Sequence, residues 1–149
     1  MSYTIVAGTD GSPAAEQAVL AAAELAPSHP DAEVHVVFAA DAVPITIPAS
    51  LLPMVENDWV KATSEASETA LDRALALLED RGVTATPHLV RGEPVSCLQH
   101  VCEDTGADLL VIGRHGARRS RQFLVGSTAE RCVRHVSCSV FVVAFNTQP

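Results

Sequence analysis

The chain is short of aromatic residues and short of positive charge. Aromatic side chains make up 4% of the 149 residues, with one Trp and one Tyr. A core built almost without rings must pack Ala, Val and Leu, which suits helices laid closely over a Val-rich sheet better than a β-sandwich. Lys and Arg number 10 against 18 Asp and Glu, for a net charge of −8. That balance argues against a general nucleic-acid or membrane-surface binder. No apolar run approaches the roughly 18 residues that a membrane span needs. No signal peptide is seen either, because Met1-Ser2-Tyr3-Thr4 runs straight into a strand-like segment, and the expected location is cytoplasmic. The four cysteines, Cys97, Cys102, Cys132 and Cys138, are spaced C-x4-C and C-x5-C, which matches none of the common zinc motifs. They read as reduced, mostly buried thiols.

What is present is a hydrophobic fraction of 48%, enough for a sizeable core, and a length that one domain over residues 1–149 accounts for. Charge is also unevenly placed. Six of the ten basic residues lie between Arg114 and Arg134, opposed only by Glu130. A basic segment on an acidic protein fits a small anionic ligand better than a long polyanion.

Strand and helix patterns alternate along the chain. Thr4–Thr9 is a short apolar run stopped by Asp10-Gly11-Ser12-Pro13, with Ser12 as helix N-cap and Pro13 at the first helical position. The helix that follows is ended by Pro27 and Pro30. Glu33–Ala40 reads as a second strand and residues 41–53, with Pro44, Pro48 and Pro53, as an irregular loop. A long helix is expected from about Met54 to Arg81, its apolar side formed by Val55, Trp59, Ala62, Ala66, Ala70, Ala74, Leu77 and Leu78, with Gly82 as terminator. Val83–Arg91 is a third strand. A helix opens at Gly92-Glu93-Pro94 and ends near Gly106, and Asp108–Gly113 is an unbroken apolar strand. Gly126–Val136 is a last helix and Ser139–Phe145 a last strand. This order predicts an α/β fold, a doubly wound five-stranded, mostly parallel sheet with helices on both faces. Ligands of such sheets bind beyond the carboxyl ends of the strands, where the strand order reverses.

The chemistry is concentrated in G-x2-G-x9-G-[ST], formed by Gly113, Gly116, Gly126, Ser127 and Thr128, with Arg114 and His115 inside it. Phosphates need backbone N–H groups aimed at them, and glycines permit that approach. A helix opening near Gly126 adds free N–H groups and the positive end of its dipole. Neither a Walker A loop nor a G-x-G-x-x-G fingerprint occurs.

This run, with ADLLVIGRHG before it and GSTAERCVRHVSCSVFVV after it, resembles the signature of the universal stress protein family in its ATP-binding branch. The opening IVAGTDGSPAAEQAV resembles the family's first strand and helix. The resemblance implies an adenine nucleotide alpha-hydrolase-like domain that binds ATP, with or without Mg²⁺, and regulates by occupancy more than by turnover. It places Asp10 against the adenosine part and Ala39 or Ala40 against adenine. Gly113, Gly116, Gly126, Ser127 and Thr128 fall at the positions that wrap ribose and phosphates. It also implies a homodimer paired through the last strand, Ser139 to Phe145.

Plainer readings stand beside these. Asp10 is ordinary turn chemistry, Ser127 an ordinary cap, and Arg118, Arg119 and Arg121 solvated loop residues. His115 reads equally as a phosphate donor or a surface residue. No nucleophile–base set emerges, so no catalytic residue is assigned. The alternatives to an ATP-binding regulator are a slow Mg²⁺-dependent nucleotide hydrolase and an interaction module. The module would bind a protein partner together with AMP, cyclic AMP or no nucleotide.

Overall fold

The computed structural model describes residues 2–40, 47–114 and 125–144. Five strands form one sheet in the order β3-β2-β1-β4-β5, and every pairing is parallel. They are β1 (Tyr3–Thr9), β2 (Ala32–Ala40), β3 (Ala85–Arg91), β4 (Leu109–Gly113) and β5 (Ser139–Val143). The helices are α1 (Pro13–Leu25), α2 (Leu52–Glu79), α3 (Pro94–Thr105) and α4 (Ser127–His135).

Residue alternation along the central strands divides the core. Ile5 and Ala7 of β1, with Val34 and Val36 of β2, face α1 and α2 and pack with Val19, Leu71 and Leu78. Val6, Val37 and Leu110 face the other way and pack with Leu98 and Val101 of α3 and Cys132 of α4. Because β1 is covered on both faces, Thr4 to Thr9 are buried without a break. At the foot of the sheet the Asp108 carboxylate accepts from the Thr4 N–H at 2.8 Å, while the Asp108 N–H donates to the Thr4 carbonyl at 2.9 Å. That double bond latches the starts of β1 and β4.

Local chemistry sets the helix ends. Ser12 caps α1 by accepting from the Ala15 N–H at 3.2 Å, with Pro13 in the first turn. Gly82, at φ +75°, follows α2, and Gly106, at φ +64°, is the left-handed C-cap of α3. Pro87 sits inside β3, which is tolerated because β3 is an edge strand whose outward N–H has no ladder partner.

Two expectations need correction. α2 begins at Leu52, so Pro53 lies in its first turn, where a missing N–H costs nothing, and not in the preceding loop. Its buried face is Ser67, Leu71, Ala74 and Leu78, so the expected Ala74 and Leu78 lie on it with Leu77 packed beside the core, whereas Ala62 and Ala66 are exposed. The expected stripe fails in the first half of this 28-residue helix, where no residue before Ser67 is buried. Gly8 leaves no room for a bulkier residue, since a β-carbon there would stand 3.0 Å from Leu98 Cδ2 and 3.2 Å from Ile112 Cγ2. Among the described residues no helix is long and apolar enough to cross a membrane.

Candidate functional site

The strand order reverses between β1 and β4, and a cleft of about 610 Å³ opens at their carboxyl ends. This size lies within the roughly 300–1,000 Å³ of small-molecule sites. Its floor is the end of β1 (Gly8, Thr9, Asp10) and of β4 (Ile112, Gly113, Arg114). The end of β2, including Ala39 and Ala40, forms one side, and Gly126, Ser127, Thr128 and Ala129 of α4 form the opposite one. Asp10, Ala39, Ala40, Gly113, Arg114, Gly126, Ser127 and Thr128 therefore converge on one cavity from four separate parts of the chain. His115 and Gly116 lie outside the described residues, as do Arg118, Arg119 and Arg121.

Two turns give the cleft its shape. After β1, Asp10 Oδ1 accepts from the Ser12 N–H at 2.9 Å and Thr9 Oγ1 accepts from the Gly11 N–H at 3.1 Å. Gly11 takes φ +79°, which an L side chain rarely adopts. The plain reading of Asp10 as a turn residue thus holds, and the same exposed carboxyl borders the cleft. After β4, the Arg114 N–H donates to the Val143 carbonyl at 2.9 Å, and the Gly126 N–H donates to the Arg114 carbonyl at 2.7 Å. This pair of bonds brings Gly126 back beside Arg114 at the mouth of α4.

The N-terminus of α4 is built to meet an acceptor. Gly126 is its N-cap and supplies no side-chain bond, so the N–H groups of its first turn have no capping side chain. Their partial positive charge borders the cavity, with the Ser127 and Thr128 residues beside them. Ser127 is the first helical residue and not the cap, which removes the capping explanation for it. Glu130 N–H to Gly126 carbonyl, at 3.0 Å, is the first turn's own bond.

The glycine at 113 has a structural cause that differs from the one expected. A β-carbon there would approach the carbonyl carbon and oxygen of Ala14 at 2.9 Å, so glycine lets α1 cross the end of β4. At Ala40 the carbonyl already accepts from the Gly92 N–H at 3.0 Å, which ties the β2 end to the turn after β3.

Sequence patterning missed the two helices that complete the walls. Thr63, Ala66 and Ser67 of α2 and Pro94 and Leu98 of α3 also line the cleft. No local signal marks the α2 residues, because their position follows from how the helix crosses the sheet. For α3 the signal was present in Glu93-Pro94, an N-cap followed by a first-turn proline. The Glu93 carboxylate accepts from Val95 N–H at 3.2 Å and Ser96 N–H at 3.0 Å, and it pairs with Arg131 of α4 at 2.6 Å. Partial burial works to raise its pKa, but the Ser96 and Val95 N–H bonds, the Ser96 hydroxyl and Arg131 override this and bring it to about 2. Glu93 thereby joins the N-terminal part of α3 to α4.

The four thiols are free, three buried and Cys138 half-buried. Burial pushes Cys132 up to about 11 and raises Cys97 and Cys102 as well, which keeps them as unreactive core residues.

Comparison with known proteins agrees with this architecture. The profile described as the universal stress protein family matches residues 1–144. Universal stress protein MJ0531 of Methanocaldococcus jannaschii is 31% identical over 143 residues, covering 93% of this chain and 80% of that protein. The universal stress protein UspA from Lactobacillus plantarum superposes with TM-score 0.82 at 22% identity, over 95% of this chain and 97% of that one, a likeness of fold. A universal stress protein solved in complex with cAMP superposes with TM-score 0.69 at 27% identity, over 95% and 96% of the two chains. On the match across nearly its whole length, the chain belongs to the universal stress protein family.

Proposed function

We propose that residues 1–149 act as one regulatory domain that holds an adenine nucleotide, ATP in the first instance, in the cleft above β1 and β4. The observation that carries this reading is the uncapped N-terminus of α4 facing a cavity whose other walls hold Asp10 and the β2 end. Phosphates would sit against the first-turn N–H groups of α4, within reach of Ser127 and Thr128. Adenine would lie toward Ala39 and Ala40, and the ribose between them, beside Asp10. Among the described residues no group of three or more His, Cys, Asp or Glu is placed to hold a metal. Any Mg²⁺ would enter with the phosphates as their counter-ion. Occupancy, with hydrolysis slow at most, is the functional variable. The protein works in the cytoplasm, as a homodimer paired through β5.

A second reading concerns the ligand and not the site. The relative solved with cAMP supports a nucleotide with fewer phosphates in the same cleft. Calorimetric titration of nucleotide-free protein with ATP, AMP and cyclic AMP, each with and without Mg²⁺, separates the two. ATP binding with micromolar affinity and a stoichiometry of one supports the first reading, and preference for AMP or cyclic AMP supports the second. No binding of any of the three sinks both.

A further inference from the structure

His35 of β2 and His88 of β3 lie on the face of the sheet that carries α3, on adjacent parallel strands, with Val37 as the direct partner of His88. His35 Nδ1 and His88 Nε2 are 2.9 Å apart. The ring centroids are 5.1 Å apart, close to the hydrogen-bond length plus the two ring radii, so the two nitrogens point at each other. Two imidazole nitrogens on one tetrahedral metal, each at about 2.1 Å, would stand about 3.4 Å apart, well beyond the 2.9 Å found here. The arrangement is therefore an imidazole–imidazole hydrogen bond, one ring donating and the other accepting.

Such a bond exists only while one of the two nitrogens is bare. The neighbouring charges are Glu33 on β2, whose carboxylate is 3.9 Å from His35 Nε2, and Asp104 on α3, which forms an ion pair with His100 at 3.2 Å. The His35 side chain is only 14% exposed, so water does little to screen a second positive charge. Burial and then His35 lower the pKa of His88, against a smaller opposing pull from Asp104.

β3 is an edge strand that holds a wall of the cleft. At its end Arg91 donates to Thr63 Oγ1 at 3.0 Å and to the Val60 carbonyl at 3.1 Å, and it also bonds Ser64. Thr63 lines the cleft, and Gly92 N–H holds the Ala40 carbonyl. We propose that the His35–His88 bond is a pH-operated clasp, whose double protonation loosens β3 from β2 and, through Arg91, frees the α2 wall of the cleft. In a mildly acidic medium the sheet edge then becomes the softest part of the protein, while β1 and β4 stay latched.

The test uses the ligand-free protein, so its outcome does not depend on the nucleotide reading. Hydrogen exchange, corrected for intrinsic rates, is compared at about pH 7.5 and about pH 5, the lower value set well below the ordinary histidine pKa because that of His88 is lowered. In the wild type, amides of β3 and of α2 around Thr63 are expected to exchange about tenfold faster at the acid pH, with β4 unchanged. His88→Gln keeps a hydrogen-bonding group that does not titrate, and it should abolish the difference. Histidine resonances followed over the same range should show the pair taking its two protons in separate steps. The clasp is overturned by equal protection at both pH values, or by a response that persists in His88→Gln. It is equally overturned if the pair titrates as two independent imidazoles. Loosening of β3 without α2 would overturn the coupling through Arg91.

Discussion

Gly113 and Ala14 are in contact so close that a single added carbon would not fit: a β-carbon at 113 would stand 2.9 Å from the Ala14 carbonyl carbon. The obstacle is helix backbone and not a flexible side chain, so either α1 or β4 must shift. Gly113→Ala is expected to cost about 1–3 kcal/mol of stability, as overpacking of a tight interior does. Urea unfolding measures it. A neutral outcome would mean that α1 yields at no cost. For the same reason, lost nucleotide binding in a Gly113 variant reports on folding before it reports on the ligand.

A cleaner probe of the cleft is Ser127, which lies at the first helical position and caps nothing. Ser127→Ala is expected to weaken ATP binding about five- to tenfold, the value of one lost hydrogen bond, while leaving the unfolding midpoint unchanged. Asp10→Asn is its companion, because the amide oxygen retains the turn bond to Ser12 while the charge is removed. An affinity unmoved by both changes would place the nucleotide elsewhere.

Glu93 makes a pH-dependent contribution whose sign follows from its lowered pKa of about 2, against an ordinary 4.5. A carboxyl held low binds fewer protons folded than unfolded, so its stabilisation is complete above 4.5 and is lost as pH falls towards 2. Glu93→Gln keeps a capping oxygen and loses the charge, so it should destabilise the protein at neutral pH by about 0.5–1 kcal/mol, the scale of an exposed ion pair and of a charge at a helix N-terminus. That deficit should shrink across the acid window. Thermal melts of both proteins between those limits test this, and a constant deficit would refute it.

Asp108→Ala strips the Thr4 N–H of its side-chain acceptor at 2.8 Å. A loss of about 1–3 kcal/mol is expected, and Asp108→Asn should recover most of it by restoring an oxygen. Equal losses in both variants would assign the effect to charge and not to the bond.

Local chemistry made most of the fold readable. The Ser12-Pro13 start of α1, the glycine stops at Gly82 and Gly106 and the buried run before Gly113 each report on a few neighbouring residues, and the structure places them within one or two positions of expectation. The G-x2-G-x9-G-[ST] spacing also brought its described members to one cavity. Features that depend on two distant segments were not readable. His35 and His88 are 53 residues apart, and nothing near either suggests the other. The reason for Gly113 resides in Ala14, on a different element. The first half of α2 was misjudged, at Ala62 and Ala66, because alanine is compatible with core, cleft and solvent alike, and only the sheet beneath the helix decides among them.

The two margins of the sheet are not equivalent. β3 carries Pro87, which withholds a donor from any strand arriving on that side, whereas β5 (SVFVV) has none. Pro87 weighs against strand addition at β3 and leaves β5 the better suited margin. An association that begins at β5 closes after two copies and leaves only the poorer margin from which to polymerise.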